Sequence, residues 1–318
     1  MINHLDNYIA NSLNLSSPFV NMKNTQSRGR GLFANKDINP HQIFHTEKPL
    51  CTMAIDPKTC DSCRKNLHKQ RRAICSYCEC VVCCVYCADN YFKEHQKSGE
   101  CEVFHQIDLK QSSLKGKKKN QFWLRFAARA CIKAEFNQSW EILLGLDSSS
   151  SIIDEESATS MYEDDILVLQ HILQTIFGST TVSVMPSVAE LDHIVRALGN
   201  NAIGLYRSQE EKEDISTSKG PSLNKTEFLS STDDSEKKKT KEKEEEEFDM
   251  VAWSVYLCGA MVNHSCQPNS EWSFNLVTGL MSLISLNDIK TNEQIEVSYL
   301  PMSLLNQSSS SSSSSSSS

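Results

Sequence analysis

The chain has 318 residues, thirteen cysteines and a net charge of −8. This length can bury a sizeable core as one large domain or two ordinary ones, so disulfides are not required for folding. The longest near-apolar run, Val251 to Val262, is too short to span a bilayer, and the first thirty residues lack the pattern of a secretory signal. We therefore expect a reducing compartment, the nucleus or the cytoplasm, where clustered cysteines more often bind metal than pair with each other.

The sequence pattern of most of the chain predicts regular secondary structure. Residues 1–17 are polar and rich in asparagine, which predicts a loose lead-in or a short helix. In 18–59, apolar groups such as "GLFA" and "LCTMAI" alternate with turn formers, as in strands. A cysteine-rich segment follows at 60–101. Apolar residues with a period near 3.6 then predict three helices within 121–206, the last of them stopping at Gly199-Asn200.

Two later segments lack the apolar content of a folded core. Between 208 and 247 there are thirteen acidic residues and eight lysines, which supply −5 of the net charge. This composition predicts disorder, with a solvated charged helix near the end of the segment as the alternative. Strand-like patterns resume over 248–300. The remainder, 301–318, is rich in serine and is also expected to be disordered.

The cysteine-rich segment carries a spacing typical of zinc ligands. Pairs separated by two or three residues, followed by a histidine and a further cysteine, supply seven thiolates and one imidazole, enough for two closed tetrahedral sites of a structural kind. Cys80 and Cys84 have the same separation as Cys83 and Cys87 and could compete with them. The predicted ligands are Cys60, Cys63, Cys75, Cys78, Cys83, Cys87, His95 and Cys101.

This spacing resembles the MYND zinc finger. The resemblance implies interleaved ligands, with Cys60, Cys63, Cys83 and Cys87 on one zinc ion and the other four predicted ligands on a second. It favours Cys83 with Cys87 over the competing pair because that choice keeps the family spacing. It also implies that the finger could bind a proline-containing peptide.

The flanking sequences resemble a second family. "SRGRGLFANKDI" at 27–38 lies before the finger, and "VNHSCQPNSEW" and "NEQIEVSYL" lie within 262–300. Together they resemble the SET domain of protein lysine methyltransferases, and a finger inserted into a split SET domain resembles the SET-and-MYND (SMYD) family. The resemblance implies an α+β fold of short, mostly antiparallel sheets, split by the two-zinc finger and extended by a helical insert.

The resemblance also implies a role for individual residues. The cofactor would be S-adenosyl-L-methionine, and Tyr299 would be the catalytic residue, with its hydroxyl directed at the reacting methyl group and amine. Tyr256 would line the substrate channel. Asn200 is an alternative to Asn201 among the cofactor contacts. The implied cofactor-binding residues are Arg28, Gly29, Arg30, Asn201, Asn263, His264 and Tyr299.

The resemblance thus implies a methyltransferase that acts on a lysine of a protein or peptide. The alternative is a catalytically silent adaptor. Many SET relatives bind a further zinc ion through post-SET cysteines, but no cysteine follows Cys266, which is therefore expected to hold no metal. No membrane partner is expected. DNA binding by basic residues of the first finger loop is a weaker reading, since it would give only nonspecific affinity; those residues are Arg64, Lys65, Lys69, Arg71 and Arg72.

Overall fold

A computed structural model describes most of the chain. The predicted disordered segments, 208–247 and 301–318, lie outside the described residues. The described residues are 4–67, 72–112, 121–137, 140–148, 155–178, 185–207 and 249–299.

The helices are placed by apolar residues that recur at helical spacing. The first helix illustrates this: Leu5, Ile9 and Leu13 recur every fourth residue and are almost fully buried, so the predicted lead-in is a packed helix. The described helices are α1 (His4–Ser16), α2 (Val85–Lys97), α3 (Glu100–Ser112), α4 (Gln121–Asn137), α5 (Glu155–Phe177) and α6 (Val188–Asn201), with short 3₁₀ helices at Trp140–Gly145 and Gly259–Met261. None of these helices is long and apolar enough to cross a membrane.

The strands are short. They are β1 (Val20–Thr25), β2 (Gly29–Ala34), β3 (Ile43–Glu47), β4 (Cys51–Ala54), β5 (Arg72–Ile74), β6 (Val82–Cys84), β7 (Ala202–Arg207), β8 (Asp249–Val255), β9 (Asn263–His264), β10 (Ser270–Asn275), β11 (Leu280–Ser285) and β12 (Glu296–Val297). Antiparallel pairing joins β1 to β2, β5 to β6, and two three-stranded sheets in the orders β10-β11-β3 and β4-β8-β7. The predicted short, mostly antiparallel sheets are confirmed.

Both three-stranded sheets combine strands from the two ends of the chain. β3 pairs with β11, and β4 pairs with β8. Strands before the cysteine-rich segment therefore hydrogen-bond to strands that lie from residue 249 onward. In addition, β12 pairs with β9 in parallel, with Glu296 opposite Asn263 and Val297 opposite His264. The cysteine-rich segment is therefore an insertion between two parts of one β-fold.

Helix α6 leads directly into β7. A capping box starts it, because Ser187 accepts the N–H of Glu190 while the carboxylate of Glu190 accepts the N–H of Ser187. The predicted stop at Gly199-Asn200 differs from the structure, in which the helix continues to Asn201. Gly199 is thus a helical residue, and the first residue of β7 follows Asn201 without a loop.

Candidate functional site

Four cysteines converge on one point at the start of α2. The sulfur atoms of Cys60, Cys63, Cys84 and Cys87 all lie within 4.8 Å of one another, and we name these residues the four-cysteine group. The Cys63 and Cys84 sulfurs are 3.9 Å apart. Zinc–sulfur bonds of about 2.3 Å would require a tetrahedron edge of about 3.8 Å. The donor set therefore fits a structural zinc ion, and the separation is far too long for a disulfide.

The four-cysteine group differs from the predicted set at one position. Cys84 takes the place of Cys83, the position at which two ligand pairs were in competition. Cys84 is the residue before α2, and its N–H donates to the Cys60 sulfur at 3.3 Å. Cys87 lies one turn into the helix, so Cys84 and Cys87 can face the same ion. Cys83 is fully buried and lies outside both groups of candidate ligands.

A second group forms where α2 and α3 meet. It contains Cys75, Cys78, His95 and Cys101, as predicted, and we name it the histidine group. All four residues are buried. The Cys75 and Cys101 sulfurs are 3.5 Å apart, and the Nε2 atom of His95 lies 3.2 Å from the Cys78 sulfur. Three thiolates and an imidazole with these separations fit a second zinc ion. The interleaving of the two groups along the chain also agrees with the prediction.

Cys80 lies beside the histidine group without joining it. Its sulfur lies 2.8 Å from the Cys78 carbonyl oxygen and 3.0 Å from a carboxylate oxygen of Asp108, so the single thiol hydrogen has two acceptors within reach. The interaction with Cys80, followed by the interaction with the His95 ring, lowers the pKa of Cys78 despite burial. Cys78 is therefore favoured as the thiolate that a metal ion requires.

The arginine-glycine turn connects β1 and β2. Gly29 has a φ of +65°, in the left-handed region that glycine adopts without a steric cost, and it pairs with Thr25 across the hairpin. Arg28 on this turn forms an ion pair with Glu296 of β12. Arg30 points the other way, toward Asp6 of α1, at 3.2 Å. The two predicted arginines therefore contact different elements on either side of the turn.

Asn263 and His264 lie against this turn. The Asn263 side-chain amide donates to the Arg30 carbonyl at 3.0 Å. A Cβ atom added to Gly31 would lie 2.8 Å from Nε2 of Gln294 and 3.0 Å from Nδ2 of Asn263, so the space that a side chain would need is taken by two amide donors. Nε2 of Gln294 is buried without a hydrogen-bond partner among the described residues. A close backbone approach beside an unused buried donor fits a polar ligand.

The segment after the 3₁₀ helix Trp140–Gly145 closes another side of this region. Arg30 donates to the Gly145 carbonyl, and the Asn201 side chain donates to the Asp147 carbonyl at 2.8 Å. The alternative residue Asn200 reaches the same carbonyl at 3.3 Å. Segment 145–147 was not predicted as part of the site. Its sequence, Gly-Leu-Asp, offers no signal, because the contacts are made through backbone carbonyls.

Tyr299 lies beside the Asn-His pair. Its backbone N–H donates to Nδ1 of His264 at 3.0 Å, and its hydroxyl donates to the Val262 carbonyl at 2.6 Å. Its ring stacks on Trp272 with centroids 5.7 Å apart and planes 14° apart. Burial raises the pKa of the Tyr299 hydroxyl, so the phenol is protonated at neutral pH. Trp272, which lies on β10 after the Asn-His motif of β9, was not predicted as a site residue.

Of three other residues discussed from the sequence, Tyr256 and Arg64 lie elsewhere than expected, and Cys266 does not. Tyr256 is fully buried and its hydroxyl donates to the Gly279 carbonyl at 2.7 Å, a structural role in place of the expected channel position. The sulfur of Cys266 lies 3.5 Å from Nε2 of His264. Arg64 is buried and donates to the carbonyls of Leu276 and Val277, so it does not form part of a basic surface.

Comparison with known proteins identifies the β-fold. The family model "SET domain" matches residues 29–300. Similar solved structures include the SET domain of LSMT bound to lysine and AdoHcy (TM-score 0.41, 14% identity, 94% of this chain and 54% of that chain) and Rubisco LSMT bound to AdoMet (TM-score 0.40, 13% identity, 93% and 53%). The chain thus spans about half the length of these structures. No curated protein matches. Since the matched region covers most of its length, the chain belongs to the SET domain family.

Proposed function

We propose that this chain is an S-adenosyl-L-methionine-dependent methyltransferase that acts on lysine side chains of proteins, histone or non-histone. One observation carries the proposal: the Arg-Gly turn, the Asn-His pair and Tyr299 come from opposite ends of the chain and meet in one place. Each motif alone is more often structural than functional. Their convergence, with two side-chain amides and the Phe33 ring beside Gly31, is an arrangement that fits a cofactor site.

The residues present fit the cofactor. Bound S-adenosyl-L-methionine would supply a methyl group on a positively charged sulfonium. The turn at Gly29 to Gly31 allows close backbone approach, while Asn263 and Gln294 offer side-chain amides toward it. His264 accepts the Tyr299 N–H and so fixes the residue that would face the reacting groups. Asn201 would contribute from the opposite side, through the segment it shares with Arg30.

Tyr299 would position the substrate amine and act through its dipole, not as a base. A free lysine has a pKa of about 10.4 and must lose its proton before it can attack. The Tyr299 phenol has a raised pKa and is itself protonated, so it cannot accept that proton at neutral pH. The stacked rings of Trp272 and Tyr299, the latter 56% exposed, would instead offer an apolar surface that disfavours the ammonium form of the substrate.

The two cysteine-rich groups would each hold a structural zinc ion. Their donor sets are closed, with four protein ligands each, and so leave no coordination position for a reaction. We propose that residues 60–101 are a MYND-type finger, with Cys84 in place of the predicted Cys83 as the fourth ligand of the first site. The finger would stabilise the fold and take no part in methyl transfer.

Calorimetric titration of S-adenosyl-L-methionine into the zinc-loaded chain tests the methyltransferase proposal. We expect one-to-one binding, weakened about tenfold or more by His264→Ala, because that change removes the acceptor that holds Tyr299. His105→Ala, which alters a histidine packed on Tyr77 of the finger, serves as the matched control and should bind normally. Tyr299→Phe should bind the cofactor but transfer methyl groups more slowly. A folded, zinc-loaded chain that does not bind the cofactor would contradict the proposal.

A second candidate function is peptide binding by the finger. Several large apolar side chains are exposed there, although such residues are usually buried: Ile74, Tyr77, Val85 and Tyr86, the last of them 84% exposed. Aromatic side chains that stand free can pack on proline rings. A proline-containing peptide should therefore bind the wild type more tightly than Tyr86→Ser, while Tyr206→Ser, which alters an exposed tyrosine of β7, should have no effect. Equal loss of binding in both variants would argue against the finger as the peptide site.

A further inference from the structure

A single buried arginine contacts both halves of the metal-binding segment. Arg129 on α4 is 1% exposed. Its Nε lies 2.5 Å from a carboxylate oxygen of Glu100, and its Nη2 lies 2.8 Å from a carboxylate oxygen of Asp61. Its Nη1 donates to the Thr52 carbonyl on β4 at 2.7 Å. The guanidinium is therefore held on three sides by three different segments of the chain.

Asp61 connects the arginine to the four-cysteine group. It directly follows the ligand Cys60, and its second carboxylate oxygen accepts the N–H of Ala54 at 2.9 Å. The Tyr91 hydroxyl donates at 2.7 Å to the carboxylate oxygen that faces Arg129. Because Asp61 is the next residue in the chain, a displacement of Cys60 on loss of its metal ion would move the carboxylate and disturb these contacts.

Glu100 connects the same arginine to the histidine group. Its Oε2 lies 2.5 Å from Nδ1 of His95, whose Nε2 faces Cys78, and the next residue in the chain is the ligand Cys101. A carboxylate bonded to the second nitrogen of a metal-binding histidine fixes the orientation of the ring and strengthens it as a ligand. Glu100 therefore positions His95, and Arg129 positions Glu100.

The two carboxylates share one positive charge. Among the described residues, Arg129 is the cation that neutralises Asp61, and Glu100 shares it, with His95 as its second partner. A buried charge that loses its partner is strongly unfavourable. A planar guanidinium bonded on several sides is also more rigid than an ammonium group would be. Movement of Asp61 is therefore transmitted through the guanidinium to Glu100, and from there to His95.

We propose that Arg129 is a positioning residue that couples the two metal groups, so that metal in the four-cysteine group raises the affinity of the histidine group for its own metal, and the reverse. The inference rests on the proposed zinc occupancy and is independent of methyl transfer. Through Thr52, whose hydroxyl is 2.7 Å from that of Ser254 on β8, the coupled unit is also tied to the sheet that leads toward Asn263.

A double-mutant cycle on the full chain tests the coupling. The chain is loaded with ¹¹³Cd²⁺, and chelator competition followed by NMR gives the affinity of each group separately, since four thiolates and three thiolates with an imidazole give different resonances. Asp61→Asn, which is not a ligand and does not contact the histidine group directly, should lower the cadmium affinity of that group about fivefold. In an Arg129→Met background the same change should have less than about a twofold effect.

Controls separate coupling from general loss of structure. Arg125→Met alters an arginine one turn earlier on α4 that pairs with Asp108, and it should leave the effect of Asp61→Asn on the histidine group intact. If Arg129→Met does not fold, Arg129→Lys takes its place and should weaken the remote effect. No remote effect of Asp61→Asn, or a remote effect that persists without Arg129, would overturn the proposal. A chain that binds cadmium but not the cofactor would contradict the proposed function alone.

Discussion

The candidate zinc finger at 60–101 and the proposed cofactor region, formed by Arg28 to Gly31, Asn263, His264 and Tyr299, are assembled by contacts of very different sequence separation. All eight candidate zinc ligands lie between Cys60 and Cys101, and the sulfur of Cys75 reaches that of Cys101 across 26 residues. In the cofactor region, Arg28 pairs with Glu296 across 268 residues and Asn263 with Arg30 across 233. Local ligands with a fixed spacing can select their own geometry through a metal ion. Distant residues are instead brought together by strand pairing between the two parts of the chain.

The contrast between the two regions is tested most directly by replacing the adjacent cysteines Cys83 and Cys84. If metal coordination determines the structure of 60–101, Cys84→Ser should reduce zinc content from two equivalents to one. It should also cause the largest loss of stability, because structural zinc in small fingers contributes about 10–16 kcal/mol. Cys83→Ser, its matched control, should retain both zinc ions and lose only the packing of a small buried thiol and its contact with Cys60. Metal analysis and thermal unfolding give both results. The reverse outcome would restore Cys83 as the ligand.

The proposed cofactor region should instead be sensitive to a side chain added where the backbone lies close to other residues. Gly31→Ala would place a methyl group 2.8 Å from Nε2 of Gln294 and 3.0 Å from Nδ2 of Asn263, so both amides must move. A steric insertion of this kind costs about 1–3 kcal/mol. We expect S-adenosyl-L-methionine affinity to fall about tenfold, as measured by calorimetry, while zinc content does not change. Unchanged affinity would mean that the space beside Gly31 is not part of a binding site.

Replacement of a glycine outside both regions should have the smallest effect on stability, and it should stabilise the chain where the other changes destabilise it. Gly199 lies inside α6, and no atom lies within 4 Å of an added Cβ. Glycine in a helix interior is about 0.5–1 kcal/mol less favourable than alanine. Gly199→Ala should therefore raise the unfolding temperature slightly and leave zinc content and cofactor affinity unchanged. A destabilised variant would show that the helix ends at Gly199, as the sequence pattern alone predicts.

Sequence patterns predicted the elements well where the signal is local. The short, mostly antiparallel sheets are confirmed by the structure, α4 to α6 lie where helices are predicted, and the family match supports the SET-type fold. The family spacing favoured Cys83 with Cys87, whereas the structure groups Cys84 with Cys87, because Cys83 and Cys84 lie four and three residues before Cys87 and spacing alone does not separate them. The resemblance also placed Tyr256 in a channel, whereas the structure buries it completely. A tyrosine between apolar residues gives no indication of whether its hydroxyl faces a ligand or a backbone carbonyl.

The sequence by itself therefore determined the candidate ligand types, since thiolate pairs at fixed spacing limit the geometry whatever surrounds them, and the resemblance to the MYND finger implied their interleaving. The sequence also determined which motifs flank the finger. Only the tertiary structure decided which residues complete the site: Gln294 and Trp272, the backbone of segment 145–147, and Arg129 between the metal groups. The reason is physical. These residues act through backbone carbonyls, steric exclusion and buried charge, and each of these depends on what the fold places nearby.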